Sequence, residues 1–115
     1  MIRYRNTSVG GTKVQALAAP NQFGYFIRGF NVINPNTTDV YLKFYDALSS
    51  NVTVGTTTPT LTLMIPASGS VYEPYDINKV VMFANSGVTI VAVTGLADSS
   101  TAAPSSNIHV SFQYD

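Results

Sequence analysis

Short runs in which apolar and polar residues alternate recur along the chain, and they predict β-strands. In residues 40–45, Val40, Leu42 and Phe44 fall on one side of an extended backbone and the intervening residues fall on the other. This period of two is typical of a strand with one buried face. Residues 60–65 and 108–114 repeat the pattern. We therefore expect a core comprising Val40, Leu42, Phe44, Leu61, Leu63, Ile65, Ile90, Val110 and Phe112.

Two further runs, residues 79–84 and 88–94, are more continuously apolar and rich in β-branched side chains. Strands that are covered on both faces, or that lie centrally in a sheet, have this composition. The turn formers Asn85-Ser86-Gly87 lie between the two runs and predict a tight hairpin. The polar segment 34–39 likewise separates a strand that ends near Ile33 from one that starts at Val40.

These runs and breaks predict an all-β fold, a single antiparallel β-sandwich that is jelly-roll-like and has about eight strands. No segment shows a helical period, and a length of 115 residues fits one domain. Two segments lack the alternation: residues 1–11, which end in Gly10-Gly11, and the small polar loop 95–106. We expect residues 1–11 to be an N-terminal arm and residues 12–115 to be the sandwich domain.

Charge and composition exclude several classes of partner. The formal net charge is zero, whereas a nucleic-acid-binding protein needs a basic surface to contact phosphates. No apolar run approaches the roughly 18 residues that a membrane helix needs. The first residues lack the apolar stretch of a signal peptide. We therefore expect no nucleic acid and no membrane as partners, and synthesis in a cytoplasm.

The polar residues do not form a recognisable catalytic or metal-binding set. The single histidine, His109, has neither a second histidine nor a cysteine to complete a site. Most of the six acidic residues lie beside turn formers or chain ends, where aspartate is favoured for its backbone hydrogen bonds. A pair of facing carboxyls of the glycosidase kind is the alternative. We expect no enzyme activity, no cofactor and no metal.

The remaining polar and aromatic residues suggest an interface. Only 10% of the residues are charged, and a surface of hydroxyls and amides is desolvated more cheaply than a charged one. Tyrosine and arginine are enriched at interface hot spots. The tyrosines on the polar side of residues 40–45 either contact a partner or are covered within the domain. The candidate interface residues are Arg3, Tyr4, Arg5, Tyr41, Lys43, Tyr45 and Asp98.

Several segments resemble small β-sandwich proteins encoded in tailed-phage genomes. The similarity runs from Gly-Phe-Asn-Val-Ile-Asn, starting at Gly29, through Val-Tyr-Leu-Lys-Phe-Tyr-Asp, starting at Val40. It continues in residues 54–59, 61–66, 83–88 and 98–104. The resemblance implies a virion component, and it implies no catalytic residues.

On this basis we expect a capsid decoration or cement protein that bridges capsomers of a phage head and is located in the virion. Its partners would be the major capsid protein or other virion subunits, and it would be a small homo-oligomer. We expect the arm, or else the loop 95–106, to contact the assembly. A tail or baseplate subunit is one alternative, and a carbohydrate-binding module used in host adsorption is another.

Overall fold

The segments in which apolar and polar residues alternate form β-strands. The computed structural model of the protein describes residues 1–20 and 23–115. The helical structure in that part of the chain is one short 3₁₀ turn, Ser49–Asn51. The strands in the described ranges are β1 Ile2–Val9, β2 Val14–Leu17, β3 Tyr25–Asn34, β4 Val40–Tyr45, β5 Leu61–Ile65, β6 Gly69–Glu73, β7 Met82–Ala84, β8 Val88–Val93 and β9 Ile108–Tyr114.

The strands pair into two antiparallel sheets that pack face to face. One sheet has the order β1-β9-β3-β6, with the short β7 also paired to β3, and the other has the order β2-β8-β4-β5. The chain changes sheet at every connection except those from β4 to β5 and from β6 to β7. Apart from β7, this is the strand distribution of a jelly roll. The predicted antiparallel sandwich is confirmed.

The main core lies between the two sheets. Seven of the nine predicted core residues are buried, and Leu61 and Leu63, on the edge strand β5, pack partly buried against the same cluster. The rings of Phe44 and Phe112 meet across the core with centroids 6.0 Å apart. All six residues of β8 are buried, which confirms that this run lies centrally in a sheet.

A second, smaller core lies on the other side of β4. Lys43 and Tyr45 are 0% and 1% exposed, although alternation places them on the polar side of the strand. Tyr45 packs with Val52, Val91 and Val93. Segment 46–60 supplies Val52, and the Lys43 ammonium donates a hydrogen bond to the carbonyl of Ala97 in the loop 95–106. Two loops therefore cover the outer face of the β2-β8-β4-β5 sheet.

Two buried asparagines fix one of these covering loops in place. The Asn34 side chain donates to the carbonyls of Thr38, at 2.9 Å, and of Ile65, at 3.1 Å. The Asn36 side chain donates to the Ser106 carbonyl at 2.9 Å and accepts from the Ser106 amide at 2.7 Å. The β3–β4 corner thereby anchors the end of the loop 95–106.

The prediction of an N-terminal arm over residues 1–11 is wrong. Residues 2–9 form β1, which pairs with β9 from Ile2 opposite Tyr114 to Val9 opposite Ile108. The Val9 side chain is fully buried. The alternation in β1 is masked because its outward face carries arginines and its inward face carries Tyr4 and Asn6. Residues 1–11 are thus part of the sandwich.

The prediction of a hairpin at Asn85-Ser86-Gly87 is also wrong. β7 pairs with β3, whereas β8 pairs with β2 and β4 in the other sheet. The turn carries the chain from one sheet to the other. Gly87 has a φ of 139°, a conformation open to glycine at little cost, so the sequence signal for a tight turn was sound while the pairing inferred from it was not.

Candidate functional site

The outer face of the β1-β9-β3-β6 sheet is open and carries a polar groove. We use "the groove" for the depression bounded by Arg3, Arg5, Asn31, Tyr72, Tyr75 and Gln113, whose volume is about 420 Å³. His109, Ser111 and Ile33 also line it. Pockets of this size are large enough to hold a small ligand.

Strand register explains why this face is concave. Arg5 pairs with Ser111, Ser111 with Asn31, and Asn31 with Tyr72. The row across four strands therefore has long side chains at both ends and short ones in the middle. Neighbouring strands lie about 4.8 Å apart, so the two walls stand roughly 14 Å apart at the backbone.

A glycine brings the second tyrosine of the groove into place. Gly29 lies next to Gln113 in the register of β3 and β9. A Cβ atom on Gly29 would come within 2.7 Å of the Tyr75 amide nitrogen and 2.8 Å of the Glu73 carbonyl oxygen. The chain after β6 can lie directly on β3 because no side chain intervenes, and Tyr75 consequently reaches over the sheet.

Hydrogen bonds hold the Tyr75 side chain at the end of the groove. Its hydroxyl donates to Asp115 Oδ2 at 2.6 Å, and the Arg28 guanidinium donates to the same oxygen at 2.9 Å. The Tyr75 hydrogen bond, helped by the terminal ammonium and Arg28, lowers the pKa of the Asp115 carboxyl, and the same hydrogen bond raises the pKa of Tyr75. The Asp115 carboxylate is therefore already engaged by the protein.

The cations of the groove differ from the other cations of the protein. Lys13 donates to backbone carbonyls, Lys43 is buried on a carbonyl, Arg28 pairs with Asp115, and Lys79 pairs with Glu73. Within residues 1–20 and 23–115, Arg3 and Arg5 alone among the lysines and arginines make neither an ion pair nor a side-chain hydrogen bond. Both side chains are exposed, so two positive charges are available to a ligand.

A second depression lies at one end of the sandwich, and most of its described lining residues are apolar, beside the Arg28–Asp115 ion pair. We use "the apolar end" for Ile2, Phe23, Phe26, Ile77 and Phe83. The first four line one depression, and the rings of Phe26 and Phe83 lie 5.0 Å apart. Phe23 is 79% exposed and Ile77 is 60% exposed. Gly24, with a φ of 81°, turns the chain into β3 immediately after Phe23.

The covered face of the other sheet contains two unusual polar groups. Desolvation lowers the pKa of the Lys43 ammonium, and the Asp98 charge partly opposes that effect. Burial likewise raises the pKa of Tyr45. The Tyr45 hydroxyl is buried and has no hydrogen-bond partner among the described residues. Both groups lie beneath loops and are not part of an exposed site.

The structure separates the predicted interface residues into three groups. Arg3 and Arg5 lie on the groove. Tyr4 points the other way, half-buried, and stacks on Phe112 with ring centroids 4.9 Å apart. The residues of the third group lie at or beneath the covered face: Tyr41 is half-buried, Lys43 and Tyr45 are buried, and Asp98 is exposed on the covering loop. The burial of Lys43 and Tyr45 corrects the expectation that they face a partner.

The remaining titratable residues serve the turns and the surface. Asp39 accepts from the Ala67 amide at 2.9 Å, Asp46 from the Ser86 amide at 2.8 Å, and Asp76 from the Asn78 amide at 2.9 Å. His109 is exposed on the outward face of β9, as its position in the alternation predicts. Among the described residues, no three His, Cys, Asp or Glu side chains are grouped so as to hold a metal ion.

Sequence reasoning missed Tyr72, Tyr75, Phe23 and Ile77. A signal existed for Ile77, an isolated apolar residue within the polar run 76–79. Tyr72 lies between Val71 and Glu73, one apolar and one charged, so the local pattern does not show which face it occupies or that this face is open. The groove depends on a register between strands distant in sequence, and no local pattern specifies it.

Comparison with known proteins adds no relative: no family model, no curated protein and no solved structure matches the chain. Among the helices of residues 1–20 and 23–115, none is long and apolar enough to cross a membrane.

Proposed function

We propose that the protein is a non-enzymatic virion structural protein, a decoration or cement protein that stabilises a phage head by bridging capsomers. The observation that carries this proposal is the apolar end. Most exposed apolar side chains on a monomer are scattered, whereas a contiguous apolar patch marks a binding surface. Here Phe23, Ile77 and Ile2, which is 55% exposed, line one depression, and the described residues leave more than half of each side chain open to solvent.

The scaffold around this surface suits a static connector. The sandwich has one core between its sheets and a second beneath the covering loops, so a rigid body presents the apolar end. The jelly roll is a recurrent architecture of viral capsid domains, and this topology together with the resemblance noted above favours a shell subunit as the occupant.

The mechanism requires only binding. A protein that binds the assembled shell and not its dissociated subunits shifts the equilibrium toward the shell by mass action. Burying aromatic and aliphatic side chains at the junction contributes about 25 cal/mol per Å² of apolar surface before the costs of association are subtracted. Two or more capsomers contacted by one connector, or by a small homo-oligomer of it, would then separate less readily.

Heads produced by a phage genome lacking the gene for this chain provide the test. Purified protein is added to these heads, unbound protein is removed by sedimentation, and both the copy number per head and the temperature of DNA release are measured. The proposal expects saturation at a fixed copy number and a higher release temperature. Absence of binding contradicts it, and binding to tails instead supports the alternative of a tail or baseplate subunit.

Single substitutions identify the surface of the protein that contacts the head. Phe23→Asp and Ile77→Asp place a charge in the apolar end and are expected to abolish occupancy. Met64→Asp is the matched control, because Met64 is 50% exposed on β5, in the opposite sheet. If Met64→Asp weakens occupancy as much as the other two, the apolar end is not the contact. Sedimentation velocity of the free protein shows whether the same surface joins copies of the chain.

A further inference from the structure

We propose that the groove is a binding site for an oligosaccharide that carries carboxylate groups. This inference goes beyond the proposed function, since it concerns a different surface: the groove and the apolar end share no lining residue. A virion protein with both surfaces would attach to the particle through one and bind a glycan with the other.

Charge complementarity indicates an anionic ligand. Arg3 and Arg5 stand two residues apart on the same side of β1 and line the groove, and both are free of ion pairs within the described ranges. A guanidinium group binds a carboxylate through two parallel hydrogen bonds. Asp115, the carboxylate bonded to Tyr75, is occupied by Arg28, Tyr75 and the terminal ammonium, so it does not neutralise the two arginines.

The floor of the groove supplies neutral hydrogen-bonding groups. Asn31, Ser111 and Gln113 present two amides and a hydroxyl between the walls. Each amide offers both donors and an acceptor, and a hydroxyl can act in either role. Sugar hydroxyls also donate and accept, so they match this floor better than an apolar ligand would.

The wall opposite the arginines is aromatic. Tyr72 is 69% exposed, and the Tyr75 hydroxyl is tied to Asp115, which fixes its ring. Tyrosine combines a large apolar face with a polar tip. The C–H face of a pyranose ring can lie against such a ring while its hydroxyls contact the floor. The backbones of the two walls stand roughly 14 Å apart, more than the width of one pyranose ring, so a ligand of two or more sugars can span the groove.

The position of the groove argues against an acidic peptide. Peptides that bind a sheet usually pair with the backbone of an edge strand. The floor belongs to β9 and β3, whose backbones are already paired on both sides, so a peptide would obtain only side-chain contacts. Single-stranded nucleic acid needs a basic track along its phosphates, and two arginines in a chain of zero net charge do not provide one.

The test uses an array of oligosaccharides in which uronate- and sialate-bearing glycans are printed beside their neutral counterparts. A poly-glutamate peptide and an oligothymidylate are printed as comparators. The proposal expects retention on one or more acidic glycans, weaker retention on their neutral counterparts, and loss of retention as salt is raised, because exposed charges are screened. The strongest acidic glycan is then titrated in solution with the wild-type protein and its variants.

Arg5→Gln and Tyr72→Ala are each expected to weaken binding about tenfold or more, the effect of losing one charge-assisted hydrogen bond or one stacked ring. Lys79→Gln is the matched control, since it removes one positive charge from an exposed ion pair outside the groove lining. It is expected to leave affinity within about twofold.

Three results would overturn the inference. The first is that acidic and neutral glycans are retained equally, or that no glycan is retained. The second is that the peptide or the oligothymidylate is retained in preference to the glycans. The third is unchanged glycan affinity in both groove variants while their melting temperatures remain at the wild-type value. Phe23→Asp and Ile77→Asp should retain glycan binding, so failure of the proposed attachment to heads is distinguishable from failure of the groove.

Discussion

The outer faces of the two sheets differ in what covers them, although each sheet contains a strand, β4 or β9, in which apolar and polar residues alternate. On the β2-β8-β4-β5 sheet, two loops cover the face, and even Lys43 and Tyr45 are buried. On the β1-β9-β3-β6 sheet, the described chain after β6 reaches over the face only beside Gly29, and Arg5 and Tyr72 stand in solvent. The comparison shows that a polar side chain on a strand can belong to a core or to a binding surface, depending on the loops.

The largest expected difference between the two faces concerns their tyrosines. Tyr45→Ala on the covered face should destabilise the fold by about 3–5 kcal/mol, the range found when large buried aromatic side chains are truncated. Phe44→Ala, which opens the main core, is expected to cost the same amount. Tyr72→Ala on the open face should change the free energy of unfolding by less than about 0.5 kcal/mol.

Urea unfolding of the three variants measures these differences directly. If Tyr45→Ala costs no more than Tyr72→Ala, the covering loops do not form a second core. If Phe44→Ala costs less than about 0.5 kcal/mol, Phe44 does not lie in the main core.

Removing the side chain that anchors the loop 95–106 should have the next largest effect on the free energy of unfolding. Asn36→Ala removes the hydrogen bonds that join the β3–β4 corner to Ser106 and leaves part-buried backbone groups of Ser106 without these partners. A loss of about 2 kcal/mol is expected, together with faster amide exchange in residues 95–106. Asn78→Ala, at an exposed asparagine, is the control. Equal losses from the two alanine variants would mean that the loop is not held at this corner.

A smaller effect, an increase in the free energy of unfolding, is expected when the Tyr45 hydroxyl is removed. Its buried hydroxyl has no partner among the described residues, and a buried polar group without a hydrogen bond lowers stability. Tyr45→Phe removes that oxygen and keeps the ring. The variant should be more stable than the wild type by about 1 kcal/mol, measured by thermal unfolding. A destabilised variant would show that the hydroxyl makes a hydrogen bond.

The smallest expected effect is a pH dependence of the folding stability that arises from Lys43. Because burial lowers the pKa of Lys43 in the folded state below its ordinary value of 10.5, the unfolded chain binds more protons between those two values. Stability must therefore rise with pH across that window. Lys43→Met lacks this group, so the stability of the wild type relative to Lys43→Met should increase as the pH is raised from 7 toward about 10.

Ionisation of the tyrosines affects both proteins alike and cancels in that comparison. A difference in stability between the wild type and Lys43→Met that stays constant or falls over the same range would show that Lys43 is as well solvated in the folded protein as in the unfolded one.

Local sequence pattern was sufficient for β4, β5 and β9 and for the main core, because alternation in residues 40–45, 60–65 and 108–114 reports directly which side of each of these strands is buried. The pattern failed to identify β1 as a strand. Arg3 and Arg5 lie on its open face and Tyr4 is only half-buried at the edge of the core, so the alternation of apolar and polar residues is weak there. It failed at Asn85-Ser86-Gly87 because turn chemistry specifies a reversal and not the sheet that receives the next strand.

The candidate sites were less predictable than the fold. Arg3 and Arg5 were identified as available for contact, and they line the groove. Tyr72 and Asn31 were not identified, because they become neighbours of Arg5 only through the pairing of four strands. Lys43 was misplaced for a related reason: a lysine on an alternating strand is normally solvated, and only the arrival of the loop 95–106 covers it.

The claim that the apolar end is the attachment surface is tested most directly by hydroxyl-radical footprinting. The protein is footprinted free in solution and again after it has been added to heads that were assembled in its absence. Phe23 and Ile77, 79% and 60% exposed in the free protein, are expected to become strongly protected on the heads. Tyr72, on the open groove, should be oxidised at the same rate in both states. Equal oxidation of Phe23 and Ile77 in the free and bound protein would contradict the account.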